Sequence, residues 1–352
     1  MAIKSITLTP LDPIESPVKD PTFLLCDNKY KYLYVLSHGW TDMHSPTNPP
    51  RGLAKINIAD PYIYDVKSDM FYASEADRSY PFSFSDLDDF LFVSVTDDGK
   101  GTSCIVKSKL TGSPSIPIYS KILPTEAHAR FYSNAYDSLQ KKIFAFAVNE
   151  GKGSISAFQS GQFEYNVTTN YNSIESLTID NRTQTCYFIP TQESIIGYFS
   201  TLTASPQIQY INIPDKGIMY GDKTILDTVN GLLFIPILTV DGKRKILALD
   251  TNENYITQSI DVNGELESFN YLVLDSLRQL LFYVTSTPLG ELHVTPISTV
   301  TFDVLEECRI SLPKGTGQLR SFAIHIQDDF DVIYGVNFSN GIVPVRIDFT
   351  RD

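Results

Sequence analysis

The stretch TVNGLLFIPILTVDGKRKILALD, residues 228–250, reads as two short apolar strands joined by a polar turn. Its recurrence decides the fold. An Asp, a polar turn and an aliphatic-aromatic pair opening the next strand appear again as DNKYKYLY ending at Tyr34, SDLDDFLF at Phe92, DSLQKKIF at Phe144 and DNRTQTCY at Tyr187. The series continues as DTVNGLLF at Phe234, DSLRQLLF at Phe282 and QDDFDVIY at Tyr334. The aromatic positions are 58, 52, 43, 47, 48 and 52 residues apart, so seven units cover nearly the whole 352-residue chain.

A period of this length, with strand, turn, strand, polar loop and two further strands in each unit, is that of a β-propeller blade. A four-stranded blade cannot bury both faces alone, so blades must stack around an axis. The expectation is an all-β, seven-bladed propeller formed by residues 1–352 as one domain, with six blades as the alternative. The last unit stops after IVPVRIDFTRD, one strand short, while the chain begins with IKSITLTPL. Residues 3–9 are therefore expected to supply the outer strand of the final blade.

Composition agrees. Tyr and Phe supply 41 residues, Ile, Val and Thr are plentiful, and no helix pattern emerges. In five units Asp stands seven residues before the aromatic, and in the others Ser85 and Gln327 take its place with Asp86 and Asp328 just after. Such an Asp accepts backbone N–H bonds two residues on and holds a tight turn, so its role is read as structural.

With the repeat in hand, the chain resembles the YVTN, NHL and lactonase-like propellers. KKIFAFAVNEGKGSISAF, residues 141–158, is similar to a blade of the seven-bladed phosphogluconolactonase type. IESLTIDNRTQTCYFIPTQESIIGYFSTLT resembles a stretch of the Yellow and royal-jelly proteins, whose propeller is six-bladed. The motifs carrying these resemblances are structural, and no lactonase catalytic set transfers position by position. The single Trp sets the chain apart from Trp-rich sugar-binding propellers.

The repeat also aligns the chain with itself. Fourteen residues before each aromatic stand Asp20, Arg78, Arg130, Ser173, Tyr220, Ser268 and Arg320, which hold three of only ten arginines. Two residues later come Thr22, Tyr80, Tyr132, Glu175, Asp222, Asn270 and Phe322. Arginine forks suit carboxylate and phosphate oxygens. Arg78, Arg130 and Arg320 are thus candidates to hold a small anionic organic molecule in the axial pocket, with Tyr80, Tyr132, Tyr220 and Asn270 as its wall. Glu175, Asp222 or His128 would move a proton in a cofactor-independent lactonase-like hydrolysis, isomerisation or cyclisation. The alternative for these charges is that they bridge adjacent blades in a non-catalytic protein-interaction scaffold.

SHGWTDMHSPTNPP, residues 37–50, is the longest loop after a motif strand and brings Trp40 as a candidate lid over the pocket. His38, Asp42 and His44 in it are read as surface residues rather than metal ligands. No cofactor is expected; calcium on Glu175, Asp222 and Asn270 is the alternative. His325, inside FAIHIQ, is read as a hydrogen-bonded core residue.

A net charge of −13 disfavours a general nucleic-acid binder. The N-terminus lacks the apolar core of a signal peptide, and no run approaches the roughly 20 apolar residues of a membrane span. A cytoplasmic location is expected, with secretion after loss of a leader as the alternative. Cys26, Cys104, Cys186 and Cys308 are too dispersed for a zinc site and read as reduced thiols. Asn166, Asn181 and Asn337 each head an Asn-x-Ser/Thr triplet.

Overall fold

The computed structural model describes residues 3–37, 50–68, 70–71, 81–85, 88–97, 102–110, 120–122, 130–149, 152–220, 223–263, 269–337 and 341–351. Seven antiparallel sheets, each with four strand positions, follow one another along the chain. The inner strands are Pro21–Asp27, the pair Met70–Phe71 and Phe82–Ser85, Arg130–Asp137, Ile174–Asp180, the pair Ile218–Met219 and Ile225–Asp227, Phe269–Asp275 and Ser321–Ile326. We number the blades 1 to 7 in that order. Seven blades are present, as the repeat count predicts.

Side-chain alternation explains the stacking. The second strand of each blade lies inside a wall of neighbours, and in blades 4 and 6 it is buried along its whole length, Thr185–Pro190 and Leu280–Ser286. Successive residues point to opposite faces of a strand. Tyr34 and Leu36 accordingly pack against blade 2, while Leu33 and Val35 pack against blade 7. Each of the seven junctions carries its own apolar cluster. Every motif aromatic, from Tyr34 to Tyr334, faces the following blade. Outer strands such as Gln162–Thr168 and Gln209–Asn212 are mostly exposed, which accounts for their polar composition.

The ring closes as expected. Ile3–Pro10 pairs antiparallel with Gly341–Arg351 from Ile3 opposite Arg351 to Pro10 opposite Val345, forming the outer strand of blade 7. Ile6 drops into the cluster between blades 6 and 7.

Three irregularities disturb the inner strands. In blades 1, 3 and 4 the register shifts by one residue, leaving Thr22, Tyr132 and Glu175 as the extra residues of β-bulges. In blades 2 and 5 the inner strand is split by an insertion. In blade 7 the hairpin is one rung longer, with Ile326 opposite Asp331 beyond the His325–Val332 pair. Helix is limited, among the described residues, to the short turn Pro214–Lys216.

Candidate functional site

The residues directly opposite the motif aromatics in the strand register are Leu25, Ser83, Ala135, Thr178, Ile225, Val273 and Ala323. All seven line one axial cavity of about 650 Å³. Six of them lie nine residues before the aromatic, so this spacing in the repeat marks the channel wall, whereas the fourteen-residue spacing does not.

The wall is two-sided. Blades 6, 7 and 1 contribute Val273, Leu274, Ala323, Ile324, Leu25 and Cys26. Blades 2 to 5 contribute the polar side chains Ser83, Ser133, Asn134, Ser176, Thr178 and Thr224, with Lys223 beside them, interspersed with apolar ones such as Phe82, Ala135, Leu177 and Ile225. The hydroxyls are organised. Thr224 Oγ1 lies 2.9 Å from Ser176 Oγ and 2.7 Å from Thr178 Oγ1. The Asn134 amide donates to Pro81 O at 2.7 Å and Ser94 Oγ at 2.9 Å, and its carbonyl oxygen accepts from Ser83.

Turns joining the first two strands of each blade form one mouth of this channel, with Asn28, Ser138, Asn181 and Thr228 at its edge. Here the motif Asp does what its position predicts. Asp137 Oδ1 accepts from the backbone N–H groups of Leu139 and Gln140, both at 3.0 Å, and Asp27, Asp227 and Asp275 repeat the pattern.

The other carboxylate oxygen reaches the next blade. Asp137 accepts from Thr201 Oγ1 of blade 4 at 2.7 Å, and Asp180 from Thr251 Oγ1 of blade 5 at 2.6 Å. In blade 5 Asn230 relays the link, bonding Asp227 at 2.7 Å and Thr299 of blade 6 at 3.2 Å. Between blades 6 and 7 an arginine replaces the threonine: Arg278 Nη1 lies 3.0 Å from Asp275 and 2.9 Å from Asp331, and its Nη2 donates to Gln327 O and Asp328 O. Burial and the neighbouring Asp275 carboxylate push Asp331 up to about 8, against the pull of Arg278. Blades 1 and 2 are joined by Lys55, whose ammonium donates to Leu110 O at 3.1 Å and stands 4.2 Å from the Tyr32 ring centre. Burial pulls this lysine down, with Asp27 and Asp65 opposing.

Tyr220 and Asn270 come together around Arg244: its guanidinium stands 5.1 Å from the Tyr220 ring centre and donates to Asn270 Oδ1 at 2.7 Å. Tyr283 also donates to that oxygen at 2.7 Å, closing the junction of blades 5 and 6. Arg244 was absent from the sequence-level ring because it belongs to a third strand. Glu175 is buried on its bulge, and Asp20 is paired with Arg51 at 2.7 Å. Glu175, Tyr220, Asn270 and Arg320 are not among the residues lining the axial cavity.

Arg130 pairs with Val148, four residues beyond its aromatic, while Arg320 precedes Ser321, which pairs with Val336, two beyond Tyr334. Arg130 thus begins its inner strand and Arg320 immediately precedes its own, both at the end opposite the Asp turns. The side chains of Arg130 and Tyr132 lie outside the described residues, as do Arg78, Tyr80, Asp222, His128, Trp40, His38, Asp42 and His44.

His325 is buried and within 3.0 Å of Asn28 Oδ1, with burial holding its imidazole below the usual range. Cys26, Cys186 and Cys308 are free thiols, the first two buried and pushed up by desolvation. The side chain of Cys104 lies outside the described residues. No helix of the described residues is long and apolar enough to cross a membrane.

Among solved structures the chain is similar to the WD40 domain of coronin from Toxoplasma gondii, with a TM-score of 0.68 and 11% identity over 100% of this chain and 88% of that one. This likeness shows the fold and agrees with the seven-bladed ring. No protein-family model matches the sequence. No curated protein matches it either. The YVTN, NHL and lactonase-like resemblance therefore stands at the level of the propeller repeat.

Proposed function

We propose that this chain is a non-catalytic interaction scaffold that receives a protein partner on the face formed by its Asp turns. The observation carrying this reading is where large apolar side chains are left in water. Leu139, Val229 and Leu277 stand two residues after the motif Asp in blades 3, 5 and 6, each more than 60% exposed. Leu202, Val300 and Tyr62 sit in the hairpins between third and fourth strands, which open on the same face. The hairpin carrying Leu202 is bonded through Thr201 to the Asp137 turn that carries Leu139, and the hairpin carrying Val300 is bonded through Thr299 to Asn230, the residue after Val229. Val240 and Leu289, exposed in hairpins between second and third strands, belong to the opposite face.

Recurrent exposed apolar positions on one face mark an interaction surface. The described interior charges support the same reading, because Arg244 and Arg278 each bridge adjacent blades. Such pairing meets the requirement of buried charges for partners and leaves the ring rigid. Similarity to a WD40 domain is compatible with a scaffold, which needs a suitable surface and no catalytic set.

The test is a quantitative proteomic capture comparing wild type with L139D/L277D and with V240D/L289D. Partners retained by wild type and by the second variant but lost from the first are expected. Equal capture by all three proteins would remove the reading.

A second reading keeps the small anionic ligand at the opposite mouth, where Arg130 opens its inner strand and Arg320 immediately precedes its own. Lactone hydrolysis, isomerisation and cyclisation belong to it. An anion-induced thermal shift lost in Arg320→Ala would favour this reading, since a ligand bound to the native state must raise apparent stability.

A further inference from the structure

We infer that the axial channel is a binding site for a small neutral cyclic molecule with one hydrocarbon face and one hydroxyl- or carbonyl-bearing edge. This site opens on the Asp-turn face through the mouth edged by Asn28, Ser138, Asn181 and Thr228, but its lining does not include Leu139, Val229 or Leu277, and the inference does not depend on the scaffold reading.

Size comes first. A volume of about 650 Å³ lies inside the roughly 300–1,000 Å³ of small-molecule pockets. All seven blades contribute to its wall, so the space is a product of the whole ring rather than a gap beneath one loop.

The chemistry of the wall then narrows the occupant. Along the shaft, blades 6, 7 and 1 present aliphatic and thiol groups, while blades 2 to 5 add the hydroxyls of Ser83, Ser133, Ser176, Thr178 and Thr224 among apolar side chains such as Ala135 and Ile225. Among the described lining residues Lys223 is the one full charge at neutral pH, and carboxylates are lacking. A polyanion or a cation finds no counterpart on such a wall. A purely apolar molecule would leave the hydroxyl side without partners, which carries a desolvation cost.

Hydroxyl arithmetic points the same way. Ser176, Thr178 and Thr224 carry three O–H protons, and two bonds link the three oxygens. Each hydroxyl supplies one proton and two lone pairs. One proton of this chain is therefore left over after the internal bonds are made, and several lone pairs remain. The backbone N–H of Thr224 takes one of those lone pairs on Ser176, at 3.3 Å. Ser83 directs its hydroxyl proton to Asn134, leaving its own lone pairs as acceptors. The hydroxyl wall thus offers both a donor and acceptors, a combination suited to alcohols and ketones. Opposite it, Val273, Leu274 and Ile324 offer methyl groups to a ring face.

The experiment is ligand-detected NMR saturation transfer on the full chain, using three probes that share one ring: cyclohexanediol, cyclohexanecarboxylate and cyclohexylamine. The diol is expected to bind, with the strongest transfer to its ring methylene protons, which would face the aliphatic wall. Thr224→Val keeps the shape while removing the central hydroxyl, and should raise the dissociation constant of the diol about tenfold, the scale of one or two lost hydrogen bonds. Ser176→Ala should act in the same direction and covers the case in which the valine variant fails to fold. The docking-face variant L139D/L277D should bind the diol like wild type, which separates failure here from failure of the scaffold reading.

Three results would overturn the inference. Absence of transfer to the diol would leave the channel to water. Binding unchanged in both hydroxyl variants would place the molecule elsewhere. Tighter binding of the carboxylate, lost in Lys223→Met, would assign the channel to anions.

Discussion

Thr201 in blade 4 donates its hydroxyl to Asp137 in blade 3 at 2.7 Å, and the same oxygen of Thr201 stands 3.2 Å from Gln184 O within its own blade. The threonine belongs to a hairpin near the rim, yet it is fully buried. One carboxylate thus shapes a turn with one oxygen and fastens a neighbouring blade with the other, which makes the repeat motif a device for both local and ring geometry.

Replacing Thr201 by Val should destabilise the protein by about 1–3 kcal/mol, because the buried Asp137 carboxylate oxygen loses one of its two donors, keeping only Gln140. Thr201→Ser should retain most of the stability. Urea unfolding at neutral pH measures both, and a valine variant as stable as wild type would show that the latch is dispensable.

The blade 6–7 junction should respond to pH. The Asp331 carboxyl is raised in the folded protein to about 8, against about 4 in an unfolded chain. The native state therefore holds a proton that the unfolded state releases, and stability falls as pH rises between those values. Asp331→Asn cannot titrate. Wild type should lose melting temperature relative to this variant from pH 5 to pH 8, and parallel curves would contradict the shift.

Ring closure should be sensitive to a single core residue of the N-terminal strand. Ile6 is 4% exposed in the cluster shared by blades 6 and 7. Ile6→Ala should cost about 2–4 kcal/mol. Lys4, on the same strand but outside that cluster, should tolerate alanine with little change by thermal denaturation.

The three Asn-x-Ser/Thr triplets should behave differently if the chain is sent through a secretory pathway. Asn166 is exposed on an outer strand, whereas Asn337 is buried and donates to Thr316 O, and Asn181 accepts from the backbone N–H of Ser138 at 2.9 Å. Glycopeptide mass spectrometry should find modification at Asn166 alone. Occupancy at Asn337 would mean that glycosylation precedes folding there.

The features read from the sequence divide according to their physics. Blade number, the Asp turn and the closing strand were legible because each rests on local periodicity or on a count of strands. The inner ring of candidate residues was not, since equal spacing in sequence gives equal rungs only while strands stay regular. Bulges at Thr22, Tyr132 and Glu175, the split strand before Thr224 and the longer hairpin ending at Asp331 shift the register in some blades and not in others. Arg244 and Thr201 lie on outer parts of their blades, and their roles arise from a neighbouring blade that no single repeat contains.

Pairing of Ile3–Pro10 with Gly341–Arg351 joins the earliest strand of the ring to the latest. On a ribosome the first of these emerges long before its mate exists, so its backbone groups and Ile6 must wait while six blades assemble. During that interval the ring has two open flanks, at blades 1 and 6, each showing the apolar surface that the finished molecule hides. Contacts so distant in sequence form slowly, and open β edges invite wrong partners. The last strand to be made therefore converts a vulnerable arc into a sealed circle in one step.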